Sequence, residues 1–233
     1  MVDKPLLFKY AENFGVSLSE RQLDVLDGFS EYVTEQNKSF NLTSITDPAA
    51  FTEKHLIDSL ACVPFLKSGA SLCDVGAGAG FPSFPVAAVR PDVSVTAMDS
   101  TSKKTAFLAK AALKFGISNL SVITARAEEC VHERESFDVV TARAVASLPV
   151  LAELCLPLVK QGGIFIAFKT ENEKLPSDKS LSLLGGRLKE TFAYSLPSGD
   201  GRLLFVFEKT SPTNSEYPRN YGKIKNLPYI KRC

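Results

Sequence analysis

CDVGAGAGFP, residues 73–82, is half glycine and alanine, and an acid, Asp74, stands two places before the first glycine. The apolar run SLCDV (71–75) reads as a strand, the glycines as a tight turn, and Pro82 suits the first turn of a helix over 82–90. Strand, bare turn and helix open an α/β unit, and the chain downstream repeats the rhythm. VSVTAMD (93–99) reads as a strand, SKKTAFLAKAALKFG (102–116) as a helix, LSVITA (120–125) and FDVVTARAV (137–145) as strands. LPVLAELCLPLVKQGG (148–163) reads as a helix with a glycine stop, and IFIAFK (164–169) as a strand. ETFAYSLP (190–197) and RLLFVFEK (202–209), separated by Ser198-Gly-Asp-Gly201, read as an antiparallel hairpin. The pattern predicts a doubly wound, Rossmann-like sheet of seven strands, mostly parallel and made mixed by the hairpin. Ligands bind such sheets at the carboxyl ends of the strands, where strand order reverses.

Before this unit the period is helical. Leu18, Leu23, Leu26, Phe29, Tyr32 and Val33 recur at spacings of mostly three or four, with Ser17 or Ser19 as the cap. A polar loop (37–48) leads to a second helix over 49–66. The expected division is a helical extension packed on the core (1–66), a Rossmann-like core (67–211) and a basic tail (212–233).

Composition bounds the function. The 233 residues are 45% hydrophobic and 23% charged with a net charge of +1, an ordinary globular balance that announces no polyanion partner. The distribution says more: Tyr217 to Cys233 holds Arg219, Lys223, Lys225, Lys231 and Arg232 and no acid, whereas the first 35 residues hold seven acids and three bases. Either this orients the molecule toward an anionic surface, or the end is a solvated tail. Five cysteines without a C-x-x-C pair, and only His55 and His132, offer no metal cluster. No apolar stretch approaches the roughly 18 residues of a membrane span, so the expectation is a cytoplasmic protein outside the membrane. No apolar stripe marks a self-association face, so a monomer is expected.

The turn narrows the ligand. A nicotinamide fingerprint spaces its glycines G-x-G-x-x-G, but here Gly76, Gly78 and Gly80 alternate and Phe81 follows. Asp74 is awkward beside a pyrophosphate and welcome beside an ammonium. Asp99, ending the second strand, suits two ribose hydroxyls. A ligand with an adenosine end, an amino-acid end and no pyrophosphate satisfies all three, and S-adenosylmethionine is one. The other reading of the turn is a bare strand-to-helix connection.

NLTSI (41–45), HLIDSL (55–60), DVGAGAGFP (74–82), MDSTSKKTAFL (98–108), ARAEE (125–129), FDVVTARAVASL (137–148) and GGIFIAFK (162–169) stand in this order. Together they resemble the RsmG family, also called GidB, over roughly residues 30–221. Ser83 and Thr170 depart from it, standing where the family usually has glycine. The resemblance implies a class I methyltransferase that takes a methyl group from S-adenosylmethionine to N7 of a guanine in small-subunit (16S) ribosomal RNA, with that RNA or its particle as partner. Carried over by position, the cofactor contacts fall on Gly76, Phe81, Ala127, Glu128 and Arg143. Asp74, Gly78, Gly80 and Asp99 belong to the general class I pattern.

Phe81 then reads as an apolar wall at the cofactor or as a core aromatic under the first helix of the unit. Arg143 reads as the orienting group at the reaction, gripping methionine's carboxylate, guanine O6 or a phosphate, or as a salt bridge at a strand end. Guanine N7 carries a lone pair and no proton, so its methylation needs no general base. The chain lacks the Asp/Asn-Pro-Pro-aromatic box of enzymes that methylate exocyclic amines. Lys103, Lys104, Arg126 and Lys169, near strand ends, are candidate RNA contacts. So are Arg219, Lys223 and Lys225, interleaved with Tyr217 and Tyr221. A solvated helix face and a tail ordered against the sheet are the alternatives. His55 and Asp58, three apart, read as a helix-anchoring pair. Two other functions compete: a nicotinamide-dependent oxidoreductase, and a non-catalytic RNA-binding assembly factor on the same fold.

Overall fold

A computed structural model describes residues 2–170 and 173–226. Seven strands form one sheet: β1 (Ser71–Val75), β2 (Ser94–Asp99), β3 (Leu120–Thr124), β4 (Phe137–Arg143), β5 (Val159–Lys169), β6 (Gly186–Ser195) and β7 (Gly201–Lys209). Their order is β3-β2-β1-β4-β5-β7-β6. The first five pair in parallel, while β7 runs antiparallel to both β5 and β6. This is the mixed α/β sheet that the alternation of periods predicts.

The helices are α1 (Lys4–Glu12), α2 (Glu20–Asn37), α3 (Pro48–Phe51), α4 (Asp58–Leu60), α5 (Ser83–Val89), α6 (Ser102–Phe115), α7 (Leu148–Cys155), α8 (Asp178–Leu183) and α9 (Tyr221–Asn226). Ser19, of the two possible caps, starts α2, in a reciprocal capping box with Gln22. Helices α1 and α2 share one buried cluster with α5 and α6; Phe29 and Phe84 stack in it with ring centres 3.6 Å apart. A second cluster, on α7, β4, β5 and β7, includes Leu151, Leu154, Phe165 and Phe207.

Three local expectations change. The helix expected over 148–163 ends at Cys155, followed by one 3₁₀ turn, Leu156–Leu158, and then β5. Pro157 is the cause, because it has no N–H to continue the helix. Gly162 is therefore no helix stop; it sits inside the strand at φ +82°, where the β4–β5 register shifts. Pro82 precedes α5 rather than opening it. Finally, the helix expected over 49–66 is interrupted: between α3 and α4 the backbone widens to a π-helix over Thr52–Ile57. Such turns recur at functional sites, and this one carries His55 to the end of β4.

The C-terminal segment is strapped down. Arg134 donates to the carbonyls of Thr213, Asn214 and Tyr217. Lys209, fully buried, donates to Leu156 O and Thr213 Oγ1. Arg219 clasps Glu153 on α7. Lys231 and Arg232 of the expected basic tail lie outside the described residues. Among the described residues no helix is long and apolar enough to cross a membrane.

Candidate functional site

Strand order reverses between β1 and β4, and two clefts meet there. The smaller, about 290 Å³, is lined by Gly76, Asp99, Lys104, Arg126, Ala127, Glu128, Leu154 and Tyr221, among others. That lies near the lower end of ligand pockets, which span about 300–1,000 Å³. The larger, about 570 Å³, is lined by Leu42 to Ile45, Lys54, His55, Asp58, Arg143, Lys169 and Arg202, among others. Ala144, in the left-handed region at φ +56°, lines both.

The glycine turn is built as its spacing demands. Gly76, Gly78 and Gly80 have φ of +74°, +58° and +99°, a region that side chains rarely tolerate. A Cβ on Gly76 would lie 2.4 Å from Val145 Cγ2, and one on Gly80 would lie 2.5 Å from Leu108 Cδ2. Gly76 thus keeps the cleft wall close, while Gly80 serves the core beneath. The Gly78 N–H donates to Asp99 Oδ2 (3.0 Å), and the Thr101 N–H donates to Asp99 Oδ1 (2.8 Å). Asp99 therefore ties the turn to the start of α6 while its carboxylate borders the smaller cleft.

The structure divides the expected cofactor residues. Gly76, Asp99, Ala127 and Glu128 line the smaller cleft. Asp74 does not face it. Its carboxylate is 1% exposed and accepts from the Ser83 N–H (3.2 Å) and the Thr141 hydroxyl (3.1 Å). Burial raises its pKa to about 6. This corrects its assignment to a ligand's ammonium: Asp74 braces the turn from below. Phe81 takes its place as a core aromatic, 5% exposed and stacked on His55 with ring centres 4.4 Å apart.

Arg143 is neither a free anion grip nor a simple surface ion pair. Its guanidinium donates to Lys54 O (2.8 Å), Asp58 Oδ2 (2.9 Å) and His55 Nδ1 (3.1 Å). A guanidinium only donates, so Nδ1 accepts and the ring proton sits on Nε2, directed at Thr43 Oγ1 2.8 Å away. Burial first, and Arg143 second, lower the His55 pKa to about 3. The Tyr194 hydroxyl donates to Asp58 Oδ1 (2.7 Å). Thr43–His55–Arg143–Asp58–Tyr194 is thus one connected network spanning a loop, the π-helix, α4, β4 and β6. Sequence reading found His55, Asp58 and Arg143 but missed the rest. Thr43 lies within NLTSI, whereas nothing local distinguishes Tyr194 from any strand aromatic.

The basic candidates separate too. Lys103, Lys223 and Lys225 are exposed. Arg126, 52% exposed, holds its guanidinium 6.0 Å from the Tyr221 ring centre. Lys169, only 8% exposed, donates to Ala146 O and pairs with Glu173 at 2.9 Å. Arg219 pairs through Nε and Nη2 with the buried Glu153 at 2.8 and 2.6 Å. These two bases serve the fold, a correction to their assignment as RNA contacts.

A mixed sheet in this order, a bare left-handed turn at its switch point and an acid closing the second strand define the class I methyltransferase fold. The family model described as rRNA small subunit methyltransferase G, GidB, matches residues 22–194, and the chain belongs to that family. It is 40% identical to the ribosomal RNA small subunit methyltransferase G of Acetivibrio thermocellus, over 97% of this chain and 96% of that protein. Solved structures share the fold at low identity. The precorrin-6y C5,15-methyltransferase of Geobacter metallireducens has 13% identity and TM-score 0.50, covering 75% of this chain and 96% of that one. The [4+2]-cyclase SpnF has 15% identity and TM-score 0.58, covering 85% and 99%. A cyclase on the same fold shows that the family, not the fold, carries the activity. The chain is a methyltransferase whose methyl donor is S-adenosylmethionine, and neither the oxidoreductase nor the non-catalytic reading stands.

Proposed function

We propose that the chain methylates N7 of a guanine in small-subunit (16S) ribosomal RNA, with the donor in the smaller cleft and the guanine in the larger. It does so as a monomer in the cytoplasm, on free RNA or an assembling particle. The residues of the smaller cleft fit the donor: Gly76 leaves the wall bare, and Asp99 presents a carboxylate to ribose hydroxyls. When bound, S-adenosylmethionine supplies an electrophilic methyl on a sulfonium.

The observation that carries the reading is the junction of the two clefts at Ala144, beside groups whose protons are already committed. His55 is held neutral with both nitrogens engaged, Asp58 accepts from Arg143 and Tyr194, and Glu173 is paired with Lys169. An acceptor that must lose a proton is poorly served by such a wall; guanine N7 has no proton to lose. Arg143, fixed at three points, orients the larger cleft, and rate arises from positioning, which supplies about 7–11 kcal/mol in well-oriented reactions.

Labelled S-adenosylmethionine incubated with unmodified small-subunit RNA, and separately with particles, tests this by mass spectrometry of the product nucleosides. The expected product is 7-methylguanosine at one site. Methylation on an exocyclic amine, or on adenine, would refute the N7 assignment.

A further inference from the structure

We propose that the C-terminal strap completes the donor cleft and that Tyr221 packs its ring against the adenine of S-adenosylmethionine. The proposal rests on the smaller cleft being the donor site. Tyr221 is the one aromatic side chain among the described residues lining that cleft. A purine needs a flat apolar partner, and aromatic side chains are the usual one.

The ring is placed by anchors on both sides. Two residues before it, Arg219 engages Glu153 through its backbone N–H as well as its guanidinium, and Glu153 is 1% exposed. Four before it, Tyr217 is buried, and three after it Ile224 is fully buried in the α7 cluster. The Arg126 guanidinium lies 6.0 Å from the ring centre. A side chain fixed this way before binding loses little conformational freedom on binding.

The groups around the ring suit adenosine. Asp99 and Glu128 line the same cleft with Lys104 and Arg126, and Arg126 pairs with Glu128 at 3.8 Å. The carboxylates accept from the hydroxyls and exocyclic amine of adenosine, and the two bases balance their charge. The exposed Lys223 and Lys225 sit elsewhere on α9, out in solvent. The aromatic of this basic segment therefore serves the donor, and its lysines remain for RNA.

Calorimetric titration of S-adenosylmethionine, and of S-adenosylhomocysteine, into the full chain tests the assignment. Tyr221→Phe should bind within twofold of wild type, and Tyr221→Ala about tenfold more weakly, the loss of one stacked base. Tyr221→Leu keeps apolar bulk without the π-face and should also bind several-fold more weakly; its use keeps the test open if the alanine variant is poorly folded. Donor affinity within twofold of wild type for Tyr221→Leu, or for a folded Tyr221→Ala, would overturn the proposal. Unchanged donor affinity with weakened RNA binding would reassign Tyr221 to the RNA. A wild-type chain that binds no donor would overturn the donor-cleft reading, and this one with it.

Discussion

His55 and Asp74 are buried titratable groups with opposite effects on stability. The unfolded chain protonates His55 near pH 6.5, but the folded chain not until about 3. The unfolded state binds more protons throughout that interval, so His55 makes stability fall as pH drops from 6.5 to 3. Asp74 keeps its proton in the folded state up to about 6, whereas the unfolded chain releases it near 3.8. Its contribution therefore falls as pH rises from 3.8 to 6. Between about pH 4 and 6 the two slopes oppose, each near 1.4 kcal/mol per pH unit at most. Replacing His55 by Gln leaves only the Asp74 slope in that window. Urea midpoints of His55→Gln should rise relative to wild type as pH is lowered from 6 to 4. A constant difference across that range would mean that His55 is charged in the native state.

At the scale of elements, the C-terminal strap contains one ion pair with a buried carboxylate, Arg219–Glu153. Removing a partner from a buried pair costs about 3–5 kcal/mol, and somewhat less here because Arg219 is 21% exposed. Glu153→Ala should therefore lower the unfolding free energy by about 2–4 kcal/mol in urea titration. A change under about 0.5 kcal/mol would show that the strap is held by its other anchors, the Arg134 bonds and the buried Tyr217 and Ile224. The sequence could not announce this pairing, because Glu153 and Arg219 stand 66 positions apart and each reads locally as a surface charge. It was legible where local physics decides. The strand, glycine turn and helix at 71–89 follow from period and from glycine's freedom at positive φ. The π-helix at Thr52–Ile57 was not legible, since one widened turn hardly disturbs the apolar spacing. The early end of α7 was written in Pro157, but the glycine pair five residues on masked it as a helix stop. In the site, Gly76 and Asp99 were readable as types at fixed offsets. Asp74 and Lys169 read as ligand groups, and Phe81 stays open between wall and core, because an apparent ligand group and a buried brace look alike until burial is known.

At the scale of the molecule, charge placement separates bases that build the fold from bases left exposed. The acidic excess of the first 35 residues is partly neutralised locally, as Lys4 pairs with Asp24 at 2.8 Å. Lys169 and Arg219 are consumed by Glu173 and Glu153. Lys103, Lys223 and Lys225 stay exposed. Deleting the tail cannot isolate the phosphate contacts, because it would also remove Tyr221 from the donor cleft. Substituting the three exposed lysines by Gln does isolate them. Each phosphate contact on a single strand contributes about 0.7 to the slope of log affinity against log salt. The triple variant should lower that slope by about 2 for small-subunit RNA, with donor affinity unchanged. Lys169→Gln should behave in the opposite way, lowering stability and leaving the slope alone, since its ammonium already has Glu173 and the Ala146 carbonyl. An unaltered slope in the triple variant would mean that RNA docks on another face of the molecule. The bases remaining at the mouth of the clefts, Lys104 and Arg126, would then be the next to substitute.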